Sequence, residues 1–135
     1  MELRTVQELM DLLYACRCEH ALRTAALLRR GRPADKELQL AGLVHAIGQL
    51  LHSGDEAGQA DRAADAVRPL LGERVAGLVR HPHTTHGPPA DDDLLRLRHA
   101  REEARATHFD AGVLEDWRTV LEMVAARSAH VRTAD

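Results

Sequence analysis

Aromatic residues are scarce in this chain of 135 residues, in which Tyr14, Phe109 and Trp117 together make up 2% of the sequence. The apolar share of 44% comes instead mainly from leucine, alanine and valine. β-Sheets favour aromatic and β-branched side chains, so this supply suits an all-helical core better than a β-sandwich. Stacking of nucleic-acid bases also needs aromatic platforms, and their scarcity argues against a single-stranded nucleic-acid binder.

Cysteine is equally scarce. Cys16 and Cys18 are the only two cysteines, and one residue separates them, rather than the two residues of a redox or zinc-binding pair. On a helix, positions two residues apart point in nearly opposite directions, so the two sulfurs cannot easily share a metal ion. We therefore expect a structural or incidental role for both.

The chain lacks both a long hydrophobic run and a strong excess of one charge. The 18 basic and 21 acidic residues are interspersed and give a formal net charge of −3, so no extended basic surface for nucleic acid is predicted. No apolar run approaches the roughly 20 residues that cross a bilayer. The N-terminal Met1-Glu2-Leu3-Arg4 lacks the pattern of a secretory signal, so we expect a cytoplasmic protein with no membrane partner.

Helical periodicity dominates the sequence, and its length suits one domain over residues 1–135. Thr5 and Glu8 form a predicted capping box, and Asp35 is a favourable N-cap. We expect an all-α fold, a single bundle of about six helices, with a loop at residues 53–58. The helical segments are predicted at Thr5–Cys16, Glu19–Arg30, Asp35–Gly48, Asp61–Leu71 (distorted or closed by Pro69), Gly72–Arg80, Asp91–Thr107 and Val113–Arg127.

Two histidines occupy core-facing positions near the ends of consecutive predicted helices. His20 shares a helical face with Thr24 and Leu28, and His45 follows Val44 near the end of the next helix. Helical bundles build sites from side chains on facing helices, so we expect His20 and His45 to converge.

Four sequence stretches resemble the HD-domain superfamily of metal-dependent phosphohydrolases and oxygenases. They are His20-Ala21-Leu22-Arg23-Thr24-Ala25, the segment Leu40–Leu51 around His45, the segment Arg68–Arg80 and, more weakly, Arg96–Arg105 followed by Trp117–Glu122. The likeness is greatest to the small HD-domain branch that includes phosphonate-cleaving, mixed-valent di-iron oxygenases. It implies a helical bundle in which His20 and His45 match the first two metal-binding histidines.

The remaining metal ligands that this resemblance implies are missing. Ala46 stands where the family has a bridging aspartate, Gln59 stands at the third histidine and Pro82 at the fourth. The final aspartate falls near Glu102 or Glu103. Two di- or trivalent cations need carboxylates to offset their charge, so we expect no dinuclear site and no metal cofactor.

Three functions remain open. In the leading hypothesis, the degenerate HD domain binds a small molecule, possibly acidic, or a protein partner through its inherited cavity, without metal catalysis. In the second, it is a metal-independent lyase, isomerase or cyclase with His20 or His45 as proton carrier and Arg23, which replaces a family glutamine, as anion holder. In the third, a mononuclear hydrolase or oxygenase holds one iron, zinc or manganese ion through His20, His45 and Glu102. A homodimer is compatible with each of the three.

A histidine-rich segment follows Arg80. His81, His83 and His86 lie within six residues of each other, and the prolines around them predict an irregular, solvent-facing loop. The segment could bind metal adventitiously or act as a lid over the cavity.

Overall fold

The computed structural model describes residues 2–16, 19–80 and 92–133, and this part of the chain is all-α, without a β-strand. It contains seven helices of eight residues or more, where about six were expected. Short helical turns occur at His45–Ile47, Gly48–Leu51 and Leu114–Trp117. The seven helices are α1 (Val6–Cys16), α2 (Glu19–Gly31), α3 (Lys36–Val44), α4 (Glu56–Leu71), α5 (Glu73–Arg80), α6 (Asp92–Ala106) and α7 (Arg118–Thr133).

The predicted caps are confirmed. The Glu8 amide donates to Thr5 Oγ1 at 3.1 Å and the Thr5 amide donates to Glu8 Oε1 at 3.0 Å, which completes a capping box at α1. The Leu38 amide donates to Asp35 Oδ1 at 3.2 Å at the start of α3. Side-chain oxygens therefore satisfy amides that the first turn of each helix leaves unpaired.

Two predicted boundaries are wrong. Residues 56–58 are not loop, because Asp55 accepts a hydrogen bond from the Gly58 amide at 3.2 Å and starts α4 five residues before the expected Asp61. At the other end, α4 continues through Pro69 and ends at Leu71 as predicted, before Gly72, whose φ of 97° favours glycine. The α-helical part of α3 is also shorter than predicted and ends at Val44, before His45.

The core is centred on α3, in which every residue from 38 to 44 is buried. α2, α5, α6 and α7 pack around it, and α4 packs mainly on α5. The predicted inward face of the last helical segment is confirmed, since Leu114, Trp117, Leu121 and Val124 are all buried. No helix in the described residues is long and apolar enough to cross a membrane.

Two glycines allow this close packing. A Cβ on Gly42 of α3 would lie 2.7 Å from Leu28 Cδ1 and 3.0 Å from Thr24 Cγ2, both on α2. A Cβ on Gly48 would lie 2.2 Å from the backbone oxygen of Gln59 on α4. The segment that carries His45 is therefore fixed between two close helix contacts.

An ion-pair network joins α3, α5 and α6. Arg74 donates two hydrogen bonds to Asp35, at 2.6 and 2.8 Å, and one to Asp93 at 2.8 Å. The hydrogen bonds from Arg74 hold the pKa of Asp35 below its usual 3.8, against the opposing effect of burial. The ionised form of Asp35 is therefore favoured by folding.

We expect Asp35→Asn to lower the free energy of unfolding by about 1 kcal/mol at neutral pH, because asparagine keeps the N-cap but loses the charge. The effect is small because the Arg74 side chain is 39% exposed and solvent screens the ion pair. Since the pKa of Asp35 is lower in the folded chain, its contribution is present above pH 4 or so and is lost as the pH falls through the folded-state pKa. Urea unfolding of both proteins from neutral to acidic pH measures this. Glu73→Gln, which removes a more exposed ion pair with Arg68, is the control. A difference between wild type and Asp35→Asn that stays constant with pH would contradict the assignment.

Candidate functional site

His20 and His45 converge as the sequence predicts. Their ring centroids lie 5.9 Å apart and the ring planes meet at 81°, in an edge-to-face arrangement. His20 lies in the first turn of α2, and His45 lies in the short helical turn that follows α3. Both residues are partly buried, so the pair lies at the boundary of the core.

A backbone carbonyl orients each imidazole. His20 Nε2 lies 2.9 Å from the Arg101 carbonyl oxygen, and His45 Nδ1 lies 2.6 Å from the Gly42 carbonyl oxygen. Because a carbonyl oxygen only accepts, these two ring nitrogens carry the protons in these contacts. His20 is thus held through Nε2 and His45 through Nδ1.

The surroundings of His20 favour its neutral form. Burial lowers the pKa of His20 below its usual 6.5, the contact with the Arg101 carbonyl opposes this, and the nearby charges of Arg105, Arg101 and Arg23 lower the pKa further. A neutral imidazole can accept a proton on its unprotonated nitrogen and donate a hydrogen bond from the other. His20 is therefore suited to hydrogen bonding and to proton transfer.

The other positions that the resemblance associates with metal do not complete a site in the described structure. Ala46 is buried and apolar, Gln59 donates to the Gly54 carbonyl at 3.2 Å, and Glu102 and Glu103 are exposed. Among the described residues, no three His, Cys, Asp or Glu side chains are grouped so that they could hold a metal ion, and the set of His20, His45 and Glu102 is accordingly not assembled. Pro82 and the segment with His81, His83 and His86 lie outside the described residues.

A cleft of about 680 Å³ opens beside the histidine pair, on another face of α2. It lies between the end of α1, the first turns of α2, one residue of α3 and the connection from α6 to α7. Most of its lining is apolar. The lining residues are Leu13, Tyr14, Glu19, Ala21, Leu22, Arg23, Leu43, Phe109, Asp110, Ala111, Gly112, Val113 and Leu114.

Among the described residues that line this cleft, Arg23 is the one cation. Its Nε donates to the Ala104 carbonyl at 3.1 Å, and its Nη1 lies 3.9 Å from Glu19 Oε2. The Arg23 side chain is only 12% exposed. Neither His20 nor His45 lines the cleft, so the guanidinium and the two imidazoles do not share this cavity.

Sequence reasoning did not identify the segment 109–114 as a cleft wall. Its shape depends on Asp110 Oδ1, which accepts a hydrogen bond from the Gly112 amide at 2.9 Å, and on the positive φ of Gly112, 86°. The guanidinium of Arg30 lies 4.8 Å from the centre of the Phe109 ring and holds it against α2. The Asp-x-Gly pattern signals a turn, but not that the turn packs against α2.

Hydrogen bonds between side chains fix one rim of the cleft. The Tyr14 hydroxyl donates to Glu115 Oε1 at 2.8 Å, and Arg118 donates to both oxygens of Glu115, at 2.9 and 3.0 Å. The hydrogen bonds from Arg118 and Tyr14 lower the pKa of Glu115 to about 2. Glu115 therefore stays ionised, and the network joins α1 to the start of α7.

Comparison with known proteins finds no match to this chain among family models, curated proteins or solved structures.

Proposed function

We propose that this chain is a degenerate HD-domain protein that has lost dinuclear metal catalysis and binds a small molecule. The cleft beside Arg23 is the proposed binding site, in place of the metal-binding cavity of the family. One observation carries the proposal: in the described part of the chain, the lining of an apolar cleft of about 680 Å³ includes one guanidinium, that of Arg23, which is largely buried. Small-molecule sites commonly combine an apolar lining with a few fixed polar groups.

The loss of metal catalysis is inferred from residue types. Ala46 has no ligand atom in its side chain, and Gln59 is engaged with the backbone at Gly54. Two retained histidines without a bridging carboxylate do not match the charge of two metal ions. In this proposal His20 and His45 persist as oriented hydrogen-bonding groups between α2, α3 and α6.

The partner we propose is therefore a small molecule rather than a nucleic acid. The described rim of the cleft carries the acids Glu19 and Asp110, which would repel a phosphate backbone. A homodimer would be compatible with binding at this cleft.

Binding at the cleft can be tested with the neutral fluorescent probe N-phenyl-1-naphthylamine. We expect its emission to rise on saturable binding to the wild-type protein, because the apolar lining removes the probe from water. Ala111→Trp should abolish this rise, because Ala111 is a partly exposed residue of the cleft wall and an indole there would fill the space. Titration of both proteins, with circular dichroism to confirm equal helicity, makes the measurement.

Ala111→Ser is the matched control and should bind the probe like the wild type, since it adds only one oxygen atom. Equal binding to the wild type and a folded Ala111→Trp variant would place the probe elsewhere and contradict the proposed site. No saturable binding to the wild type would contradict the proposal as a whole.

The histidine pair favours a second candidate, a metal-independent acid–base enzyme. Two imidazoles 5.9 Å apart, with the pKa of His20 lowered, could serve as proton carriers. The mononuclear metal enzyme is the competing alternative at the same residues. Elemental analysis of untagged protein separates them, since stoichiometric metal that disappears in His45→Ala would argue for the metal enzyme and against the acid–base enzyme.

A further inference from the structure

We propose that the ligand of the cleft is an amphiphilic monocarboxylic acid, whose carboxylate binds Arg23 and whose apolar body lies against the leucine-rich wall. This inference rests on the proposed function, because it names the ligand of the same cleft. It depends on three observations: how Arg23 is held, which charges accompany it, and how the apolar lining is arranged.

The guanidinium of Arg23 is fixed in place while two of its nitrogens remain available. Its Nε donates to the Ala104 carbonyl, which anchors the group to the end of α6. Within the described residues, its Nη1 and Nη2 donate no hydrogen bond, and the nearest acid, Glu19, is 3.9 Å away and 87% exposed. Two parallel N–H donors match the two oxygens of a carboxylate. Prior fixation of the guanidinium also reduces the entropy lost on binding.

The charges of the cleft favour a single negative charge on the ligand. Arg23 is accompanied in the lining by the acids Glu19 and Asp110. Among the described lining residues, a phosphate or phosphonate dianion would meet one cation and two carboxylates, whereas a monocarboxylate would need only the guanidinium of Arg23. Glu19 is then an internal competitor for Arg23, and its high exposure lets it turn away into solvent.

The apolar wall of the cleft is built largely from side chains that are buried in the core. Ala21, Leu43 and Leu114 line the cleft, and each is at most 9% exposed, so each is supported by the core behind it. Leu13, which is 5% exposed, belongs to the same buried wall, and the partly exposed Leu22 extends it toward the rim. A hydrocarbon or aryl body placed against this wall would be removed from water, which provides most of the binding free energy for such ligands.

Displacement of N-phenyl-1-naphthylamine by ligands with the same alkyl chain tests this inference. Octanoate should displace the probe at a concentration about tenfold or more below that of octanol or octylamine, because a charge-assisted hydrogen bond to Arg23 is made only by the carboxylate. This comparison uses only the wild-type protein. Octylphosphonate should be weaker than octanoate because of Glu19 and Asp110.

Substitutions then assign the effect to Arg23. Arg23→Gln should weaken octanoate by about tenfold to a hundredfold while N-phenyl-1-naphthylamine still binds, which also shows that the variant is folded. Glu19→Gln should leave octanoate unchanged or strengthen it. The matched control is Arg62→Gln, which removes an exposed arginine of α4 outside the cleft and should change nothing.

The outcomes distinguish the two proposals. If octanol displaces the probe as well as octanoate does, or if Arg23→Gln has no effect on octanoate, the monocarboxylate assignment fails although the cleft still binds small molecules. If Glu19→Gln weakens octanoate, Glu19 does not compete with the ligand for Arg23, and if octylamine is the best competitor, the cleft prefers a positive charge. Either result overturns the assignment. If the probe itself does not bind, the proposed function fails.

Discussion

Trp117→Ala is expected to lower the free energy of unfolding by about 3–5 kcal/mol, the usual range for truncating a large buried aromatic side chain. Trp117 is the largest fully buried side chain in the described structure, with 0% exposure. It lies where the turn Leu114–Trp117 joins α7, and the guanidinium of Arg29 on α2 lies 4.2 Å from the centre of its ring. Its loss would leave a cavity that the rigid helix ends around it could fill only in part. Urea unfolding followed by far-UV circular dichroism measures the change.

Trp117→Phe is the matched control and should cost much less than the alanine variant. The indole Nε1 is buried and has no hydrogen-bond partner in the described part of the chain. Phenylalanine therefore removes an unpaired polar group as well as some volume, and these two effects on stability have opposite signs. Met123→Ala, at a residue of α7 that is 45% exposed, should change stability by less than about 1 kcal/mol. If Trp117→Ala and Met123→Ala lowered the free energy of unfolding by the same small amount, the packing described for Trp117 would be contradicted.

Gly48→Ala should be the second most damaging change, with a loss of about 2–3 kcal/mol expected from overpacking. The added Cβ would lie 2.2 Å from the Gln59 backbone oxygen and 2.7 Å from its carbonyl carbon. A backbone group cannot rotate away as the end of a side chain can, so α4 must move relative to the turn Gly48–Leu51. The φ of Gly48 is −56°, which alanine adopts readily, so the cost comes from the contact and not from backbone strain.

Gly77→Ala is the matched control and should have the opposite sign. Gly77 lies inside α5, and a Cβ there meets no atom within 4 Å. Alanine in a helix interior is about 0.5–1 kcal/mol more favourable than glycine, so this variant should be more stable than the wild type. Thermal and urea unfolding of the two variants provide the comparison. A Gly48→Ala protein as stable as Gly77→Ala would show that α4 is not in close contact with Gly48.

Local capping signals in the sequence identified two helix starts and missed a third. The Thr5–Glu8 capping box and the Asp35 N-cap each form within four residues, and both are present in the structure. The start of α4 was missed because the glycines in Ser53–Gly58 weigh against helix, although Asp55 is followed by residues that it can cap. The low helix propensity of the two glycines was outweighed by the Asp55 N-cap and by the packing of α4 on α5.

Helical periodicity also placed His20 and His45 on inward faces, and the structure brings the rings together as expected. The position of Arg23 could not be obtained in this way. Its Nε bonds to Ala104, 81 residues away in the sequence, and nothing near Arg23 in the sequence encodes that contact. His20 and His45 do not line the cleft that contains Arg23, because residues of one helical turn can face different neighbours.

The sequence by itself determined that the described part of the chain is all-helical and which faces of its helices are buried. These properties depend on residue type and on spacing over one or two helical turns. Only the tertiary structure decided that a cleft exists, that the segment 109–114 forms its wall and that Arg23 lines it without the two histidines. The physical reason is that a cavity is the space left between elements distant in sequence, so its shape depends on how α1, α2 and the α6–α7 connection pack together.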